Sequence, residues 1–300
     1  MKSLLLGLLA ETSIHPGAGQ SAGFVDLPVA REAATDYPVI VGSSMKGALL
    51  DMARTQGVDE GIRKRVFGEQ ESAGALLVSD ARLLLLPVRS LKSQYKWVTC
   101  PHLLERLSRD RAREAVANSK TGKSAHPTSA CEIPPVAEHH YLGADDGDLF
   151  LEERQFTPSP CDASKFDTLV TLVQSLLSNE PLFAATRERV SKQLVVISDK
   201  DFVWFARYGL AINARNVLHE TKKTSENLWY EETIPPDSLF YCLLAQRNDK
   251  AVVENDDALM VARKLFECRP YLQVGGNETV GQGWFAVALP KADQANGGAA

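Results

Sequence analysis

Between His15 and Pro28 the chain reads HPGAGQSAGFVDLP, with Pro16, Gly17, Gly19 and Gly23 all ahead of Val25. Glycine and proline at that density make a loop rather than a helix or a strand. The loop carries a single acid, Asp26, followed at once by Leu27 and Pro28. Proline at 28 biases Leu27 towards extended backbone, so Asp26 sits on a stretch that does not coil, and something else must come to it. After a short spacer the chain reads PVIVGSSMKGALL. Ser43 or Ser44 can cap a helix there, and Met45, Ala48, Leu49 and Met52 recur at helical spacing. The free amides and positive end of that helix, together with Lys46, favour a phosphate. Ser43, Ser44, Lys46 and Gly47 are therefore candidate phosphate contacts.

Upstream, Leu4–Ala10 is an apolar run too short for a signal peptide and without a small-residue cleavage site after it. It reads as a central strand over residues 3–13, buried on both faces. Gly74 opens a second strand, ALLVSDARLLLLPV, which Pro87 closes. Strand, helix and strand in the first 90 residues are half of an α+β, RRM- or ferredoxin-like plan. No stretch reaches the ~20 apolar residues a bilayer requires. Five scattered cysteines without a CxxC read as reduced thiols in a cytoplasmic protein. A net charge of −5 argues against a surface coated in Lys and Arg, though not against a basic groove.

Residues 89–100 mix Arg89, Lys92 and Lys96 with Tyr95 and Trp97, a composition that suits RNA or, equally, a solvated edge strand. A helix over 101–117 carries Arg106, Arg109, Arg111 and Arg113. A polar, finger-like insertion spans about 118–148. A strand at 149–156, a helix at 162–178, a strand at 194–197 and a turn capped by Asp199 follow. Residues from about 213 to 232 read as a projecting hairpin whose Arg215, Lys222, Lys223, Trp229 and Tyr230 reach outward. A helix at 255–268, a glycine loop at 275–283 and a last strand close a single domain over 1–290. The tail over 291–300 is expected to be disordered.

The combined pattern HPGxGxxxGxVDLPxxRE, PxIxGSSxKGALx and VGGNETVGQGW resembles the RAMP superfamily. Within it the match is to the backbone subunit of the type III-B (Cmr) CRISPR RNA-guided effector complex. Val41 and Leu50 stand where that family commonly has Pro and Arg. The resemblance implies a CRISPR RNA bound along a filament of repeated copies beside other complex subunits, and a target RNA cut at regular intervals. It places the target-cleaving acid at Asp26, with a divalent cation, Mg²⁺, shared with RNA phosphates. It makes the hairpin a thumb that wedges into the guide–target duplex, and sets Gly275, Gly276 and Gly281 beside the guide. His15 is a weaker acid–base candidate, and Glu231 and Glu232 offer a second carboxylate or else a solvated strand end.

Other chemistries fit less well. Lys46-Gly47 reverses the Walker order and places no hydroxyl for Mg²⁺. Gly19–Gly23 matches GxSxG, but Phe24–Pro28 cannot supply the helix that a nucleophile elbow at Ser21 needs. VGGNETVGQG is not GxGxxG. His139, His140, Cys100 and His102 lack zinc spacing. A non-catalytic RNA-binding scaffold, with Asp26 merely closing its loop, stays open beside the nuclease.

Overall fold

The computed structural model describes residues 2–289 apart from 22, 120–131, 161, 223, 248–256 and 268. Every residue of the first strand, Ser3–Ala10, is buried, as an apolar run without alternation requires. It pairs antiparallel with Leu239–Gln246 on one side, Leu5 facing Leu243, and with Trp284–Ala288 on the other, Leu8 facing Val287. Leu239–Gln246 in turn pairs antiparallel with Ala81–Arg89. Helix Gly42–Thr55 links the first of these strands to the second, and helix Ala258–Glu267 links the third to the fourth. In chain order the core is strand, helix, strand, strand, helix, strand, and the strands lie fourth, first, third, second across the sheet. That is the ferredoxin-like plan. Residues 90–238 all lie between the second and third core strands.

Much of this inserted chain extends the same sheet through Tyr95–Thr99, Leu194–Ile197, His140–Gly143, Arg154–Pro158 and Leu149–Leu151, and with Val39–Ile40, Leu76–Val78 and Tyr271–Gln273 the sheet reaches twelve strands. Both faces are covered. Met45, Leu49 and Ala53 of the first core helix are buried, as are Leu103, Leu104 and Leu107 of helix Pro101–Asn118. Gly7 marks the tightest approach, because a Cβ there would lie 1.8 Å from the carbonyl oxygen of Leu176. Backbone cannot retract as a flexible side chain does. Gly7→Ala is therefore expected to destabilise at or beyond the upper end of the ~1–3 kcal/mol typical of overpacking. A lower urea midpoint at unchanged m-value checks this; an unchanged midpoint refutes it.

Several local expectations are corrected. The 74–87 segment is two strands, Leu76–Val78 and Ala81–Arg89, because Ser79 turns its hydroxyl to the Leu243 N–H, 2.9 Å away, and Asp80 turns to the Gly42 N–H. Pro87 does not close the strand. Pairing with Leu239–Gln246 ends at Leu85, so the missing N–H falls where the strand has lost one neighbour. The basic and aromatic mixture at 89–100 divides: Arg89 and Lys92 are exposed, Tyr95 is half-buried, and Lys96 and Trp97 are interior. Trp97 is buried and donates its indole N–H to the Asp237 carbonyl at 2.8 Å, and buried Lys96 pairs with Asp145 at 2.6 Å. Arg106 lays a bidentate fork on Glu32 at 2.7 and 2.8 Å. Burial acts to raise the Glu32 pKa, but the Arg106 guanidinium prevails and holds it below the usual carboxylate range.

The insertion is not irregular throughout: His140–Gly143 is a sheet strand, and residues 120–131 lie outside those described. Residues 149–156 turn back on themselves, Glu152 taking a positive φ between Leu149–Leu151 and Arg154–Pro158. Ser198, not Asp199, caps helix Asp199–Tyr208, accepting from the Asp201 N–H at 3.1 Å. Asp162 does cap Ala163–Gln174. Helix Ala184–Gln193 and edge strand Tyr271–Gln273 stand beyond the expected elements. The expected tail falls outside the described residues. Among those described, no helix is long and apolar enough to cross a membrane.

Candidate nucleic-acid interface

The glycine-rich loop has a definite course. Gly17 and Val29 form an antiparallel bridge, the Ala18 N–H meets the Pro28 carbonyl at 3.1 Å, and the Ser21 N–H meets the Asp26 carbonyl at 2.9 Å. The loop then runs beside the hairpin Ala211–Leu218 and Ser225–Thr233. Leu27 bridges Glu231 in parallel, donating to the Tyr230 carbonyl at 3.1 Å and accepting from the Glu232 N–H at 3.0 Å. These strand-like bonds place the Asp26 carboxylate at the hairpin's base. Its Oδ2 accepts from the Tyr230 N–H at 2.7 Å. Its Oδ1 has no partner among the described residues, and the side chain is half-buried.

Glu231 and Glu232 do not form a solvated strand end; both are buried. Glu232 accepts from the Val29 N–H at 3.0 Å and from Arg31 at 2.6 Å. The same Arg31 donates to the carbonyls of Ala206, at 2.6 Å, and Asp36, at 3.0 Å. Glu231 takes Arg215 at 3.1 Å and the Asn277 amide. His15 is buried too, its Nδ1 2.8 Å from the Glu232 carbonyl. A carbonyl only accepts, so that nitrogen carries the proton. Arg215 is thus committed to a carboxylate of its own chain. Arg31 and Asn277 join the site, and neither stands out in the sequence. In the sequence Arg31 is only the Arg of an ARE tripeptide, and Asn277 lies in a glycine loop.

The glycines near 280 divide. Gly275 and Gly276 are turned to His15: a Cβ on Gly275 would lie 2.8 Å from the His15 carbonyl oxygen, and the Gly276 N–H donates to that oxygen at 3.1 Å. Gly281, at φ +80°, faces open space. Lys222 is exposed at the hairpin turn, and Lys223 lies outside the described residues.

The first core helix begins at Gly42, two residues earlier than a cap at Ser43 would set it. Val41 is the N-cap and no side chain caps the end; the Gly42 N–H goes to Asp80 Oδ1 at 2.7 Å. Ser43 and Ser44 are exposed instead of capping. Lys46 lines a shallow cleft of about 420 Å³ with Val41, Gly42, Ser43, Leu76–Val78 and Asp80. Among the described residues Lys46 has no ion pair, and no hydrogen bond ties this cleft to the Asp26 loop. Asp80 offsets part of the cleft's positive character. The Ser21 hydroxyl accepts from the Gly23 N–H at 3.1 Å and no helix follows it, which removes the nucleophile-elbow reading.

Among the described residues no group of three or more His, Cys, Asp and Glu side chains could hold a metal ion. Asp26 offers one carboxylate with one oxygen already engaged. The chain by itself does not fit a protein-ligated divalent site.

A family model described as RAMPs, RAMP superfamily, matches residues 8–286. The CRISPR system Cmr endoribonuclease Cmr4 of Pyrococcus furiosus is 34% identical over 314 aligned positions, covering 99% of each chain. The CRISPR system CMR subunit Cmr4 of Saccharolobus solfataricus is 25% identical, covering 91% of this chain and 92% of its own. Among solved structures, oligomeric Cmr4 from Pyrococcus furiosus superposes with a TM-score of 0.72 at 29% identity, over 97% of this chain and 98% of that one.

Proposed function

This chain belongs to the RAMP superfamily, and from that premise we propose that it is the repeated backbone subunit of a type III-B CRISPR effector complex that holds a CRISPR RNA and cuts the paired target RNA at Asp26. Base pairing with the guide selects the target, so the protein needs only a sequence-independent grip. Lys46 and the hydroxyls of exposed Ser43 and Ser44, with Gly47, contact guide phosphates. The open Gly281 lets RNA approach backbone. The thumb, with Lys222 at its turn, enters the duplex and exposes one target linkage per copy. Neighbouring copies and other complex subunits are the protein partners, in the cytoplasm.

The observation that carries the cleavage reading is the Asp26 carboxylate, pinned at the thumb's base through Oδ2 with Oδ1 left open. Oδ1 accepts the hydrogen bond of a target ribose 2′-OH and takes its proton. The 2′ oxygen then attacks the adjacent phosphorus and the bond to the 5′ oxygen breaks. The leaving 5′ oxygen takes a proton from water, Asp26 returns its proton to the resulting hydroxide, and the products are a 2′,3′-cyclic phosphate and a 5′-hydroxyl. Mg²⁺ is proposed as a cofactor that RNA phosphate oxygens would hold, where it would offset charge on the reacting phosphate, while Asp26 keeps Oδ1 for the 2′-OH. His15, Glu231 and Glu232 serve by holding the loop.

One observation favours a second reading: the Tyr230 N–H gives Asp26 a loop-closing role that needs no chemistry, as in a scaffold. The experiment uses the protein assembled with its partner subunits, a guide RNA, Mg²⁺ and a labelled complementary RNA. Evenly spaced cuts, each abolished by a single 2′-deoxy substitution on its 5′ side, are expected. Tight binding without cuts would leave the scaffold.

A further inference from the structure

Phe24 is the most exposed large apolar side chain among the described residues, at 102% of its reference area. It stands near the tip of the turn closed by the Ser21 N–H bond to Asp26, two positions ahead of the carboxylate. A large apolar ring left wholly in water forgoes its own burial, so the fold gains nothing from it. The turn under it is nevertheless held: the Gly23 N–H donates to Ser21 Oγ at 3.1 Å, and Asp26 is tied to Tyr230 at 2.7 Å. Two residues of extended chain span at most ~7 Å. Ring and carboxylate therefore reach the same nucleotide or adjacent ones.

We propose that Phe24 is a positioning residue that stacks on the target-RNA base beside the cut linkage and so fixes the ribose against Asp26. The proposal rests on the cleavage reading and deepens it. Ser21 and Gly23 beside Phe24 in the chain are exposed and small, and among the described residues of the turn no other large apolar side chain is exposed. A single exposed ring matches one base face; protein interfaces use contiguous apolar area. The described residues of the turn carry no cation, so a phosphate is not what it attracts. Stacking on an aromatic ring is tolerant of base identity, as a subunit repeated along any guide requires.

The test uses the assembled complex, a guide RNA and complementary targets that are intact or carry one abasic nucleotide beside a cut linkage. Phe24→Ala is expected to slow single-turnover cutting at saturating target by roughly tenfold to a hundredfold. Phe24→Trp should restore it, and target binding should be unchanged because the whole guide supplies it. The abasic target should slow the wild type to the same degree and slow Phe24→Ala no further. Equal cutting by wild type and Phe24→Ala would overturn the role of Phe24 alone. So would independent, multiplying effects of the mutation and the abasic site. Loss of subunits from Phe24→Ala complexes by native mass spectrometry would assign the ring to a protein contact instead. A wild-type complex that never cuts would overturn the cleavage reading itself, and the stacking role with it.

Discussion

Asp26→Asn, assembled with its partner subunits and a guide RNA, is expected to cut target RNA at least ~10²-fold more slowly than the wild type while binding guide and target equally well. Asparagine is the informative substitution because of the Tyr230 N–H, which lies 2.7 Å from Asp26 Oδ2. The amide oxygen of Asn still accepts that bond, so the loop stays seated on the thumb while the proton acceptor is lost. Asp26→Ala removes both, and should further cost about 0.5–1.5 kcal/mol of local stability for the lost hydrogen bond. Melting curves separate the two: Asn near wild type, Ala lower. If Asp26→Asn cuts at the wild-type rate, the carboxylate only closes the loop and the nuclease reading fails. If both variants stop cutting and only Ala loosens the loop, chemistry and support are separated at one residue.

What could be seen in advance follows the range of the interactions. The glycine loop, the helix after it and the hairpin at 213–232 are set by local composition and periodicity; all three are present, with the helix start moved ahead of its serines to Gly42. The ferredoxin-like core is half local as well. Its other half needed Leu239–Gln246 to slot between Ser3–Ala10 and Ala81–Arg89, a pairing that no local pattern announces. The error at Tyr95 and Trp97 has the same origin. Rings alternating with cations look alike whether the rings stack on bases or pack in a core, and only the neighbouring strand Leu194–Ile197 decides it. Glu231 and Glu232 resemble a solvated strand end because their cations, Arg215 and Arg31, come from another strand and from the distant loop. Asp26 stands out in the sequence as the loop's single acid. Its anchor, a backbone N–H at position 230, leaves no trace in side-chain identity.

Glu232→Ala is expected to destabilise the protein by about 3 kcal/mol or more, because it strands a guanidinium and a backbone N–H together. Arg31 is 17% and Glu232 9% exposed at the side chain, and removing one partner of a buried pair costs ~3–5 kcal/mol; the residual exposure of Arg31 argues for the lower end. The Val29 N–H loses its acceptor in the same step. Because Val29 and Arg31 flank the loop's return, the damage should appear where Asp26 sits, as slower cutting that accompanies a lower melting temperature. Glu232→Gln keeps an oxygen for the Val29 N–H and another dipole towards Arg31, so it should recover most of both. A carboxylate acting directly on RNA behaves oppositely: Glu232→Gln would abolish cutting at unchanged stability. In the supporting role, Arg31→Ala combined with Glu232→Ala should cost less than the two single losses summed, since neither charge is then left alone. Additive losses would mean that the pair does not hold the loop, and that Asp26 takes its position from the Tyr230 N–H and the backbone bonds of the loop.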